Sequence, residues 1–170
     1  MICLVKTLSL LLIAAAFAFG GRAYASYKQS KAQIISEIIV MINATENRLR
    51  YSNAPLNELF RGINSCGQFG FIEECIRKTE NGKTFHAAWE ESVSQSGKLK
   101  SLLGASAQTL IDFGAGLGVT DTEGQISNCE YYKDVFTSEF ALREAESRKS
   151  SKVFPQLGLL AGVFVLIFLL

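Results

Sequence analysis

Apolar residues in this chain of 170 crowd into its two ends and fall at helical spacing between them. The C-terminal run Val153–Leu170 is 18 residues of Val, Phe, Leu, Ile, Gly and Ala, broken only by Pro155 and Gln156 near its start. As a helix it would extend about 27 Å, enough to cross a hydrocarbon core, and it reads as a transmembrane helix. The N-terminal run Thr7–Gly21 has 15 uncharged residues between Lys6 and Arg22, and it admits two readings. One is a leader peptide, for which Ala23-Tyr24-Ala25 supplies a small-x-small cleavage step. The other is a retained membrane helix over residues 1–27, with Lys6 reaching back to the interface and Tyr24 and Tyr27 at the opposite one. Arg22 stands where a cleavage region is usually uncharged, and Lys28 and Lys31 follow closely, which favours retention.

Between the ends the 3.6-residue period predicts a series of helices. Ile35, Ile38, Ile42 and Leu49 share one face, with Ile34 and Met41 beside it, and nothing separates this stretch from the N-terminal run. Ser52-Asn53-Ala54-Pro55 ends that helix and begins another, with Asn53 as candidate N-cap and Pro55 in the first turn. Leu56, Leu59, Phe60 and Ile63 form its apolar face. A third helix is predicted over Gly67–Lys78, with Phe71, Ile72, Cys75 and Ile76 inward and Asn81-Gly82 as its stop. Thr84 is placed to cap a fourth, carrying Phe85, Ala88, Trp89 and Val93, with Trp89 as a core anchor. Leu99, Leu102 and Leu103 lead into a fifth stretch, Ala105–Phe113, which runs into Gly114-Ala115-Gly116-Leu117-Gly118. No strand precedes this glycine cluster and no Gly-Lys-Ser/Thr follows, so a left-handed helix C-cap explains it better than a phosphate loop. Thr120 and Glu123 fit a capping box for a final helix whose core stripe is Ile126, Cys129, Tyr132, Phe136 and Phe140. The expected architecture is all-α: a bundle of about six helices over residues 28–152 between terminal helices at 1–27 and 153–170.

Charge adds an orientation. Arg22, Lys28, Lys31, Arg143, Arg148, Lys149 and Lys152 flank the terminal runs on the side of the middle domain, against Lys6 alone at the far ends. That asymmetry puts the middle domain in the cytoplasm, where Cys66, Cys75 and Cys129 stay reduced. None of the four cysteines forms a CxxC pair, although spacing by itself leaves a disulfide between two of the last three open. Gly158 and Gly162 make a GxxxG step, and Ala14 and Ala18 a small-xxx-small step, through which the terminal helices can approach. A net charge of +1 offers no general affinity for nucleic acid.

Candidate chemistry is sparse. The one histidine, His86, stands four residues before Glu90, a spacing that on a helix reads as an exposed pair rather than an acid–base couple. Glu73-Glu74 and Glu90-Glu91 sit on charged faces, with no HExxH or DxD pattern nearby. Neither a catalytic set, a metal site nor a cofactor is expected, and the chain reads as a non-enzyme.

The stretch Phe113-Gly114-Ala115-Gly116-Leu117-Gly118-Val119-Thr120-Asp121, continuing to Gln125, resembles the FGxxLGxxD region of the stage III sporulation protein AB family. Tyr51-Ser52-Asn53-Ala54-Pro55-Leu56, Ala88-Trp89 and Leu157-Gly158-Leu159-Leu160-Ala161-Gly162 match it as well, while residues 64–80 look atypical. The likeness covers the whole chain in length and segment order, and it marks Pro55, Trp89, Phe113, Gly114, Leu117, Gly118, Asp121 and Gln125 as motif positions. It implies a helical bundle similar to the cytoplasmic domains of type II secretion platform proteins, and an uncleaved N-terminal helix. It also implies a non-enzymatic scaffold in the mother-cell membrane facing the forespore. Implied partners are other sporulation channel proteins, including a secretion-type ATPase, with a homo-oligomer allowed. The alternative is a secreted or surface-anchored helical binding module with a cleaved signal peptide.

Overall fold

The structure is a computed structural model that describes the backbone of residues 2–52, 54–67 and 69–169, and the side chains of 19–52, 54–64, 69–149, 153, 156 and 160. Within these residues there are seven helices and no strand. They are α1 (Ile2–Tyr51), α2 (Leu56–Gly67), α3 (Gly70–Glu80), α4 (Phe85–Gln95), α5 (Gly97–Leu103), α6 (Ser106–Ala115) and α7 (Thr122–Leu169).

Two compact units divide the chain, one from Met1–Ala32 with Ala141–Leu170 and the other Gln33–Phe140. In the first, Lys28 Nζ meets Glu146 Oε2 at 2.9 Å, and this carboxylate raises the pKa of the ammonium. Lys31 Nζ lies 4.7 Å from the centre of the Tyr27 ring. No helix among the described residues is long and apolar enough to cross a membrane. The apolar runs assigned to membrane helices lie largely outside the described side chains, as do Gly158 and Gly162.

The second unit holds the hydrophobic core. The stripe foreseen on α1 is buried throughout, with Ile35, Ile38, Met41 and Ile42 wholly inaccessible. Leu59, Phe60 and Ile63 of α2, and Phe71, Ile72 and Cys75 of α3, are buried against it, as are Cys129 and Phe136 of α7. At the centre is Trp89, 1% exposed, with the rings of Phe60, Phe71, Phe85 and Phe113 at 5.2, 5.4, 5.7 and 6.0 Å between centroids. Burial of these aromatic and aliphatic faces is the main force holding the helices together.

Several boundaries differ from the sequence reading, each for a local reason. Gly67 closes α2 rather than opening α3, which starts at Gly70 after the extended Phe69. Leu99, Leu102 and Leu103 belong to a separate short helix, α5, because the Ser96 hydroxyl accepts a hydrogen bond from Leu99 N and starts a new turn there. That extra helix makes seven where about six were expected. Pro55 precedes α2, and its carbonyl accepts the helix's first bond from Leu59 N at 3.0 Å. Asn53, the cap proposed for that helix, lies outside the described residues. Thr84 does cap α4, accepting from Ala87 N at 3.4 Å.

Candidate functional site

The motif positions converge on one corner, where α6 turns into α7 over the Trp89 indole. Trp89 falls on the buried face of α4 with Ala88 and Val93, and its indole N–H donates to the Leu110 carbonyl of α6 at 2.9 Å. In a helix the side chain one turn beyond a carbonyl stands over it, and here that position is Gly114. A Cβ at Gly114 would overlap Nε1 and Cδ1 of the indole, so the close approach of α4 to α6 requires glycine. Phe113, wholly buried, turns its ring edgewise to Trp89, and Tyr132 packs against Phe113 with 5.7 Å between centroids.

The end of α6 presents carbonyls that lack partners within the helix, and the corner supplies them. Asn128 Nδ2 of α7 donates to the Phe113 carbonyl at 3.1 Å. The His86 ring contacts the Leu117 carbonyl through Nε2 at 2.8 Å, which requires the proton on that nitrogen. His86 is therefore engaged with the turn, and the pairing with Glu90 that its spacing allowed is not the bond it makes. Leu117 itself is buried, while Gly118 turns the chain with φ +73 against Leu56 Cδ1. Any Cβ at Gly118 would stand 2.9 Å from that methyl in addition to its backbone strain.

The start of α7 then locks onto the same turn. Asp121 Oδ1 accepts from Gly124 N at 2.9 Å, while the Asp121 carbonyl accepts from Gln125 N at 3.0 Å, so Asp121 is the N-cap. The cap read on Thr120 thus falls one residue later, and no capping box forms because the residue three on from Asp121 is Gly124; the charged Asp121 carboxylate reaches the free N–H of the first turn. Gln125 fastens the corner from both sides: its Oε1 accepts from Gly118 N at 2.9 Å and its Nε2 donates to the Thr120 carbonyl at 3.1 Å. Trp89, Phe113, Gly114, Leu117, Gly118, Asp121 and Gln125 thus form one contiguous joint, and Pro55 stands one residue before the Leu56 that covers it. The reading of the sequence missed His86 and Asn128 as members. Asn128 had a usable signal, since it follows Gln125 by three residues and so shares its helical face.

A charged network ties α1 to α7 within the core unit. Glu46 is 9% exposed and receives Lys133 Nζ at 2.8 Å and Arg50 at 2.9 Å, while Arg50 also bonds Glu130 at 2.9 Å. The Lys133 and Arg50 hydrogen bonds hold the Glu46 carboxyl below the usual range, and Glu46 in turn raises Lys133. Cys75 and Cys129 are free and buried, and desolvation pushes both thiols up to about 12. Cys66 and Cys3 lie outside the described side chains. Among the described residues no group of three or more His, Cys, Asp or Glu is placed to hold a metal ion. The polar side chains of the corner, His86, Asp121, Gln125 and Asn128, are engaged in internal hydrogen bonds.

Over residues 6–170 the chain matches the family model described as stage III sporulation protein AB, and it belongs to that family. No curated protein and no solved structure matches it.

Proposed function

We propose that this member of the stage III sporulation protein AB family is a non-enzymatic membrane scaffold of the sporulation channel between mother cell and forespore. The family carries a role in sporulation; the scaffold, its partners and its place in the membrane are the proposal. The observation behind it is the corner: the polar groups of Gly118, Asp121 and Gln125 are spent on internal bonds. Side chains that define the motif thus build shape and leave no reactive group for a substrate. The core unit they stabilise is a compact helical body of the kind that docks other proteins, and a secretion-type ATPase is the partner put forward.

The terminal runs anchor the chain in this reading, with residues 1–27 retained, 153–170 crossing once more, and the middle domain cytoplasmic. The uncleaved N-terminus is supported by Arg22, Lys28 and Lys31, which place positive charge around the Ala23-Tyr24-Ala25 step. Co-purification of the tagged full chain from sporulating cells should recover the other channel proteins, the ATPase among them. A chain that elutes alone, or a mature N-terminus at Ser26, would sink the proposal.

A further inference from the structure

The net charge of +1 conceals a segregation. Residues 33–140 carry 14 Asp or Glu against nine Lys or Arg, whereas residues 22–32 and 141–152 carry seven Lys or Arg against Glu144 and Glu146 alone. Those two cationic stretches belong to one compact unit, together with the apolar runs that they adjoin. Within it the Lys28–Glu146 contact sets the register of α1 against α7. Lys28 lies seven residues past Gly21, where the first apolar run ends, and Glu146 lies seven residues before Val153, where the second begins. Both runs therefore stop at one level, about 10 Å along the helices from the contact. Lys31 and Arg143 are matched in the same way, each ten residues from its run.

The cations gather around one carboxylate. The Lys28 hydrogen bond holds the Glu146 carboxyl below the usual range, and Arg143 and Lys31 are close enough to add to the effect. Arg143 in turn opposes the charge on Lys28. Glu144, the other acid, is bonded to Arg148 at 2.9 Å. Three cations thus share Glu146, leaving a positive excess at this level that Glu144 and Glu146 together do not offset. Like charges held this close cost free energy unless an anion joins them. Between this level and the end of the first apolar run, Tyr24 and Tyr27 expose their rings, with Lys28 Nζ at 6.0 Å and Lys31 Nζ at 4.7 Å from the ring centres. Amphipathic rings next to apolar runs, with cations just beyond, match the layering of a bilayer surface. An acidic protein surface would supply the charge but leave those rings and runs in water.

From this layout we infer that Lys28, Lys31 and Arg143, gathered on Glu146, bind the phosphate headgroups of anionic phospholipids at the bilayer surface. The inference rests on the membrane reading of the terminal runs and adds the lipid class to it. A headgroup phosphate accepts from the ammonium and guanidinium N–H groups, and the excess positive charge selects against a zwitterionic headgroup, which brings a cation of its own.

The test uses the full chain reconstituted into phosphatidylcholine vesicles that contain a minority of phosphatidylglycerol. Spin-labelled forms of both lipids report how strongly each is held at the protein, through the motionally restricted part of the spectrum. Phosphatidylglycerol should be favoured about fivefold at low salt, and the preference should shrink in 1 M salt, where charges are screened beyond about 3 Å. Lys28→Gln, Lys31→Gln and Arg143→Gln together should abolish it. Arg61→Gln, Lys83→Gln and Lys100→Gln together, the same charge removed from the core unit, should leave it intact. Glu146→Gln should raise it about twofold or more, whereas a carboxylate that only ties α1 to α7 would give no rise. Equal restriction of the two lipids, equal effects of the two triple variants, or no rise with Glu146→Gln would each overturn the inference. So would loss of the preference on adding millimolar inorganic phosphate at constant ionic strength, which would make this a site for free anions. A chain that floats with the vesicles but shows no preference refutes the lipid site alone. One that floats with neither neutral nor anionic vesicles refutes the membrane reading as well.

Discussion

Gly114→Ala adds one methyl at the point where α4 and α6 are closest. The new Cβ would overlap the Trp89 indole, so either the ring rotates away or the helices separate. Moving the ring breaks the 2.9 Å bond to the Leu110 carbonyl and leaves a buried N–H without a partner, at about 1–3 kcal/mol. Overpacking adds about 1–3 kcal/mol, and Ala recovers about 1 kcal/mol of helix propensity relative to Gly. A net destabilisation of about 1–5 kcal/mol is expected. Trp89 is the chain's only tryptophan, so urea unfolding followed by its fluorescence reports on the perturbed site itself. The midpoint should fall, while the slope with urea holds because the surface exposed on unfolding is unchanged. In a Trp89→Phe background, read by circular dichroism, the same methyl should cost at least about 1 kcal/mol less, since the smaller ring vacates the space. A Gly114→Ala variant within about 0.5 kcal/mol of the parent would refute the close-approach argument. So would an undiminished cost in the Trp89→Phe background.

Four further outcomes follow from the same geometry. Gly118→Val should destabilise by about 1–3 kcal/mol through positive φ and the Leu56 contact, and should do so more than Gly82→Val, where φ is +90 but the space is open; equal thermal midpoints would rule out the contact. Asp121→Ala should cost about 1 kcal/mol and Asp121→Asn much less, with equal losses in urea melts counting against the cap. Because the folded carboxyl of Glu46 sits below its ordinary 4.5, its stabilisation is complete above that pH and fades as pH falls through the depressed value; Glu46→Gln should flatten the fall in urea midpoint between pH 5 and pH 3, and an unchanged slope would remove Glu46 as its source. The Cys75 and Cys129 thiols, held at about 12, should resist a thiol reagent at pH 8 in the folded protein and react in urea; fast labelling of either in the native state would contradict its burial.

Much of this molecule was legible in its hydrophobic period. The α1 stripe, Trp89 as an anchor and the Thr84 cap are local signals, set by helix geometry and backbone sterics, and each lies where the period places it; the left-handed glycine expected as the C-cap of α6 lies further on, at Gly118, while the C-cap Gly116 itself is right-handed with φ -80. The breaks were harder to read. The Gly67/Gly70 boundary and the separate α5 depend on which carbonyls and hydroxyls find partners in three dimensions, and Ser96 gives no louder signal than the other serines nearby.

The candidate site divides in the same way. Residues Phe113 to Gln125 stood out through their glycine cluster, a capping pattern on Thr120 and Glu123, and their resemblance to the family's motif. Why Gly114 is glycine was not readable there. Its reason is an indole 25 positions earlier in the chain, brought against it only when α4 packs on α6. His86 and Ser92 show the same limit in opposite senses, since one finds the Leu117 carbonyl across the fold and the other finds nothing. Sequence determines which residues can form helices, turns and an apolar face, because those preferences act within a few residues. Tertiary structure decides which polar groups are satisfied and which are left buried without a partner, because that depends on atoms far apart in the chain.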